Sequence, residues 1–160
     1  MIYPWGNSRR FHSLADHYKQ KYGSRIQKVS VNAGFTCPNR DGTIGIGGCS
    51  FCNNSGFSPS YCHDAGTIHE QIEIGLKFLK KRYRRAQIFV AYFQSYSNTY
   101  DHIDNLKRLY GEALAHPGIS GLSIGTRPDC IDEEKLQFLA EIAEQKIVSI
   151  EYGVESCYEE

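Results

Sequence analysis

The sequence predicts an α/β fold: a partial parallel (β/α) barrel that opens with a helix and runs β-α-β-α-β-α-β. Three observations predict it. Four short β-branched or aromatic runs recur along the chain, a helical segment separates each from the next, and a long glycine-rich loop follows the first. Strands that alternate with helices imply parallel pairing and right-handed crossovers. A loop after the first strand then lies at the C-terminal sheet edge, where such folds build their sites.

Each element has a local reason. In residues 10–22, RFHSLADHYKQKY, Phe11, Leu14 and Tyr18 have helical spacing and Gly23 is a stop. In IQKVSVNAG, Val29 and Val31 alternate with polar residues and mark the first strand. The irregular stretch up to about Gly66 is long enough to be functional rather than connecting. Thr67 and Glu70 have capping-box spacing, and Ile68, Ile72, Leu76, Leu79 and Tyr83 form one apolar stripe. AQIFVAYFQ reads as a buried second strand. Ile103, Leu106, Leu109, Ala113 and Leu114 mark a helix closed by Pro117 and Gly118, and ISGLSIGT is the third strand. Asp132 caps a last helix whose first turn holds Glu133 and Glu134, and KIVSIEYGV is the fourth strand. The chain stops where another crossover helix should begin. The expected organisation is therefore a helical extension over 1–24 and the first part of a core domain over 25–160.

Composition narrows the function classes. The 160 residues carry 18 basic and 18 acidic side chains, so bulk charge favours neither nucleic acid nor membrane. No apolar run approaches bilayer-spanning length, and MIYPWGNSRRF lacks the charged-then-apolar pattern of a secretory signal. A cytoplasmic, reducing compartment is expected, and there six cysteines read as metal ligands, reactive thiols or buried small residues rather than disulfides.

Three of them fall in FTCPNRDGTIGIGGCSFCNN, as Cys37, Cys49 and Cys52. Thiolates at this density select zinc or an iron–sulfur cluster. The Cys-x-x-Cys bite lets two sulfurs reach one centre, and Gly42, Gly45, Gly47 and Gly48 let backbone wrap closely around it. A structural metal site closes with four protein ligands, whereas a cubane on three cysteines leaves one iron open. Cys62 is the thiol that would close the set, with His63 or His69 as weaker candidates.

The loop GFTCPNRDGTIGIGGCSFCN, together with FQSYSNTY and GTRPDC, resembles the radical S-adenosylmethionine (SAM) superfamily. Within it the chain is similar to the YhcC/YtqA-like branch, relatives of the elongator-complex catalytic subunit, in which the first cysteine gap is wide. The resemblance implies a four-iron four-sulfur cluster on Cys37, Cys49 and Cys52, with SAM bound to the open iron through its amine and carboxylate. One-electron reduction of the sulfonium would then yield a 5′-deoxyadenosyl radical that abstracts hydrogen from an unidentified substrate, RNA being a candidate. It also implies an electron donor such as a flavodoxin or ferredoxin. The alternative is a non-catalytic module that binds zinc and contacts RNA.

The resemblance implies further contacts, each with a plainer reading beside it. Phe51 stands where superfamily members hold the adenine, or it packs the loop. Gln94 and Ser95 replace a Gly-Gly-Glu-type segment and offer acceptors to an ammonium, or they cap the loop. Arg127 holds a SAM carboxylate or substrate phosphate, or forms a clasp with Asp129. On the fourth strand, Glu155 is the preferred partner for ribose hydroxyls and Glu151 the weaker one. Cys130 and Cys157 read as ordinary free thiols. KFLKKRYRR carries six basic residues and reads as a solvated helix face, with RNA phosphate as its functional alternative. The six histidines form no pair with metal spacing.

Overall fold

The computed structural model describes residues 1–53, 56, 58–64 and 66–154. Strands β1 (Ile26–Val31), β2 (Ile88–Phe93), β3 (Gly121–Thr126) and β4 (Ile147–Tyr152) form one sheet in that order, every pairing parallel. Helix α1 (Leu14–Tyr22) precedes the sheet. Helices α2 (Tyr61–Asp64) and α3 (Ile68–Arg82) join β1 to β2, and α4 (Ile103–Ala115) joins β2 to β3. A 3₁₀ turn (Pro128–Cys130) and α5 (Glu133–Ala143) lead into β4. Among the described residues no helix is long and apolar enough to cross a membrane.

Strands adjacent in sequence are adjacent in the sheet, so each right-handed crossover steps the same way and lays its helix on the same face. That face is the core. Val29, Val31, Phe89, Ala91, Phe93, Leu122 and Ile124 are at most 4% exposed and pack on Ile72, Leu76, Leu106, Tyr110 and Leu139 of the helices. Phe93 meets Tyr110 edge-to-face at 4.9 Å, which anchors the end of β2 directly below the loop it feeds.

The opposite face is polar. The register sets Tyr92, Ser123 and Ser149 in one row and Gly125 beside Glu151, and Lys28 reaches Glu151 across the same face. Crossover helices cannot cover this side. Helix α1 approaches it instead: the Tyr18 hydroxyl pairs with Ser149, and burial and the Glu151 charge push it above its ordinary value.

Local chemistry explains the boundaries. Thr67 and Glu70 form both halves of the capping box, at 3.1 and 2.9 Å. Asp132 caps α5 by accepting from the Lys135 amide at 3.0 Å. Gly23 ends α1 in the left-handed region, as its position suggested. Gly121 opens β3 so close to β4 that a Cβ there would collide with the Ile147 carbonyl.

Three details differ from the sequence reading. Helix α1 starts at Leu14, because Ser13 accepts from the Asp16 amide and fixes the N-cap; Phe11 and Leu14 are exposed, so their spacing marks no buried stripe. The long loop contains α2, which buries Cys62. Tyr83 is the C-cap of α3 rather than part of its stripe.

Candidate cofactor site

Eleven residues separate Cys37 from Cys49, yet the chain closes the gap on itself. The Arg40 and Asp41 amides turn back onto the Cys37 carbonyl at 2.9 and 3.3 Å. The Ile44 and Gly45 amides both bond the Pro38 carbonyl, and Asp41 bridges Ile46 in antiparallel fashion. Finally the Gly48 amide donates to Asn39 O at 2.9 Å. The intervening residues are thus looped out as a hairpin, and Cys49 re-enters beside the turn that carries Cys37. At Gly48, φ is +91°, a backbone conformation that favours glycine, and a Cβ would stand 2.9 Å from Arg40 Nε, so a side chain there would have to displace the guanidinium. A single turn, closed by Cys52 N donating to Cys49 O at 3.0 Å, separates the second and third thiols.

The hairpin is tied to the loop after β2. The Arg40 guanidinium lies over the Tyr96 ring at 5.4 Å, Thr43 and Tyr100 share a hydroxyl hydrogen bond at 2.9 Å, and Ser97 N donates to Thr36 O at 3.1 Å. Tyr96 adopts φ +69°, a conformation that costs a tyrosine about 1 kcal/mol. That loop is in turn stitched to the end of β3. Asn98 donates twice to the Gly125 carbonyl, and Thr99 gives its hydroxyl proton to Cys130 O at 2.7 Å. With that proton committed, Thr126 is the donor in the 2.6 Å Thr99–Thr126 bond.

These loops enclose a cavity of about 840 Å³ at the C-terminal sheet edge, lined by Cys37, Cys49 and Cys52 together with Phe51, Gln94, Arg127 and Glu151. The size suits a small-molecule or cofactor site. The three thiols are half-buried. Asn39 Nδ2 donates to Cys49 Sγ at 3.0 Å.

The other predicted residues divide. Phe51, 65% exposed, lines the wall, and Gln94 joins it from beyond the end of β2. Ser95 does not line the cavity: it is buried, and its hydroxyl bonds Ser58 at 2.7 Å. Both residues lie in the loop just beyond β2, and the Ser58 contact turns Ser95 away from the cavity. Arg127 reaches the cavity but is clasped by Asp129 through two hydrogen bonds at 2.8 and 2.6 Å. The hydrogen bonds raise the guanidinium above its usual range and lower the Asp129 carboxyl. Glu155 and Cys157 lie outside the described residues.

Glu151 sits at the cavity floor in a network the sequence did not suggest. It pairs with Lys28, accepts from Ser123 Oγ at 2.9 Å and from the Tyr92 hydroxyl at 3.0 Å. Lys28 Nζ also lies 4.1 Å from the Tyr92 ring centroid. Burial works to raise the Glu151 carboxyl, but the Lys28 and Ser123 contacts outweigh it and hold the carboxyl below its ordinary value. Tyr92 is pushed up by burial and by Glu151, so its phenol keeps its proton, donates to Glu151 and shows the cavity an acceptor oxygen. The legible signal was parity: Lys28, Tyr92, Ser123 and Glu151 fall on one face of their strands.

Cys62, the thiol that would have closed a four-ligand set, is buried away from the cavity; its thiol donates to the Ser30 carbonyl at 3.4 Å, and burial pushes it up to about 11. Cys130 is likewise buried, behind Asp129. His63 is exposed on α2, and neither it nor His69 lines the cavity.

One grouping corrects the reading of the histidines. His69, Glu73 and His116 bring one ligand atom each within 4.8 Å of one another, and among the described residues theirs is the single such set. The hydrogen bonds argue for a clasp. Gly118 N donates to His116 Nδ1 at 3.0 Å, which leaves the ring proton on Nε2, where it is given to Glu73 at 2.8 Å. A metal on Nε2 would move that proton to Nδ1, against the Gly118 N–H.

The chain is similar to protein YhcC of Escherichia coli K12, at 37% identity over 141 residues, covering 88% of this chain and 44% of YhcC. It is also similar to the uncharacterized protein YtqA of Bacillus subtilis, at 32% identity over 98% of this chain and 49% of YtqA. An uncharacterized protein of Methanocaldococcus jannaschii is 36% identical over 89% of this chain and 44% of its own length. The chain thus spans about half the length of the curated relatives it matches. No family model and no solved structure matches it.

Proposed function

We infer that this chain is the first part of a radical SAM enzyme, with Cys37, Cys49 and Cys52 holding a four-iron four-sulfur cluster and the cavity receiving SAM. One observation carries the reading: three thiols from a single loop line one cavity at the C-terminal edge of a parallel sheet, and among the described residues no fourth thiol lines it. Cys62, the thiol a closed zinc site would need, is committed elsewhere.

Held by Cys37, Cys49 and Cys52, a reduced cluster would supply the one electron that splits SAM into methionine and a 5′-deoxyadenosyl radical able to take hydrogen from a substrate. The chain's own residues bind, orient and shield. The looped-out hairpin brings Cys49 back beside the Cys37 turn, and Asn39 donates to the Cys49 sulfur. Phe51 offers an exposed ring for a planar base. Gln94 and the Tyr92 oxygen supply acceptors at the end of β2. Arg127, steadied by Asp129, gives a fixed positive charge for a carboxylate. Glu151 is held by three donors and serves as a fixed wall rather than a mobile base. The sheet is then the opening part of a radical SAM-type (β/α) barrel, working in a reducing compartment with a flavodoxin- or ferredoxin-class donor.

The test is anaerobic reconstitution with iron and sulfide, reduction, and incubation with SAM. Formation of 5′-deoxyadenosine that disappears in Cys52→Ala supports the reading. A colourless protein that holds one zinc and leaves SAM intact contradicts it.

A further inference from the structure

The run from Lys77 to Arg85 holds six of the chain's 18 basic residues and no acidic one, so the rest of the chain is net acidic. All six are exposed. Lys77 meets Glu73 only at 4.0 Å, and among the described residues no carboxylate forms an ion pair with Lys80, Lys81, Arg82, Arg84 or Arg85. Lys80, Lys81 and Arg82 complement the C-terminal dipole of α3. Arg84 and Arg85 lie beyond the helix, where that explanation does not reach.

Apolar side chains are interleaved with the charge. Ile74, Phe78 and Tyr83 are 43%, 56% and 39% exposed. Ile74 and Phe78 stand one helical turn apart, as do Lys77 and Lys81 in the adjacent row. Opposite this surface, α3 buries Ile72, Gly75 and Leu76 against the sheet. The fold therefore does not need the outer stripe for packing.

From this we propose that the α3 surface from Ile74 to Arg85 is a docking site for the unpaired stretches of an RNA. Lys80, Lys81, Arg84 and Arg85 meet the phosphates, and Phe78 gives bases a face to stack on; Tyr83 is held by Arg82, whose guanidinium lies 5.5 Å from its ring centroid and donates to its hydroxyl at 3.2 Å. Charge complementarity selects a polyanion, and the interleaved Phe78 ring selects one with exposed bases. Three apolar side chains make too small a face for burial in a lipid headgroup layer.

The position assigns this surface an anchoring role. Lys80 lies over the ring of Phe89, the second residue of β2, whereas the cavity is lined by Gln94 beyond the other end of that strand. At about 3.3 Å per residue the two are separated by about 17 Å. An RNA held here contributes affinity without touching the cavity, and the inference stands whatever the thiols hold.

The experiment measures binding of a fluorescent oligouridine of about 20 nucleotides to the protein as purified, across a salt series starting near about 50 mM. A variant neutralised by Lys80→Gln, Lys81→Gln, Arg84→Gln and Arg85→Gln is compared with Lys19→Gln/Lys146→Gln, which removes exposed charge elsewhere, and with Phe78→Ala; circular dichroism checks that each folds. The expected result is loss of at least about tenfold in the neutralised variant. Its salt slope should fall by about 0.7 per contact removed. Phe78→Ala should show a smaller loss, and the control none. Equal affinity in the neutralised variant and its parent overturns the proposal. So does absence of binding near about 50 mM salt, or preference for phosphatidylserine vesicles over the oligomer.

Discussion

The Asn39 side-chain amide donates to the Cys49 sulfur at 3.0 Å, and the Asn39 carbonyl accepts from Gly48 at 2.9 Å. One residue thus closes the hairpin with its backbone and donates to a cysteine sulfur with its side chain. Hydrogen bonds to sulfur are among the levers that set a cluster's potential. Asn39→Ala should therefore retain its iron but reduce at a more negative potential, the shift reflecting one lost hydrogen bond of about 1 kcal/mol. Spectroelectrochemical titration checks this; an unchanged potential would remove Asn39 from the site.

Gly48 tests the pinch. Ala there meets both a φ of +91° and the Arg40 guanidinium, so Gly48→Ala should cost about 1–3 kcal/mol and lower the iron incorporated on reconstitution. Gly45→Ala is the control, because its Cβ would find nothing closer than Asn39 O at 3.6 Å. It should be near neutral in urea unfolding and in iron content.

Glu151 carries a pH prediction. Its folded carboxyl is depressed relative to the unfolded chain, so its contribution is present above the unfolded value of about 4.3. That contribution is lost as pH falls through the lower folded value. Glu151→Gln should destabilise the protein at neutral pH by about 1–2 kcal/mol, its part-exposed setting keeping the loss below that of a fully buried pair. The gap between variant and parent should narrow below about pH 4. A gap that is flat with pH would mean the network contributes through packing alone.

Gly121 tests the sheet. With a Cβ colliding with the Ile147 carbonyl, Gly121→Ala must part β3 from β4 at its first register pair. A loss of about 3 kcal/mol or more in urea unfolding is expected, beyond ordinary overpacking because the obstacle is backbone.

How much of this was legible depended on the range of the signal. The four strands and the helices α3, α4 and α5 announce themselves locally, in the apolar run IFVAYF or the Thr67–Glu70 box. Cys37, Cys49 and Cys52 were legible by type and spacing, and Arg127 with Asp129 by its two-residue interval. Helix α2 is a single turn, too short for periodicity to register. The hairpin that shortens the cysteine gap rests on backbone hydrogen bonds that no side-chain pattern encodes. The Lys28–Glu151 pair spans 123 positions and the His116–Glu73 pair 43; both exist only once the sheet is assembled. Ser95 failed for a simpler reason: its neighbour Gln94 took the cavity side.

The most direct measurement is iron and acid-labile sulfide per chain after anaerobic reconstitution, in the parent and in four single cysteine variants. The account predicts about four irons in the parent and in Cys62→Ala, and near-complete loss in Cys37→Ala, Cys49→Ala and Cys52→Ala. Retention of the full complement without any one of those three thiols, or one tightly held zinc that depends on Cys62, would contradict it.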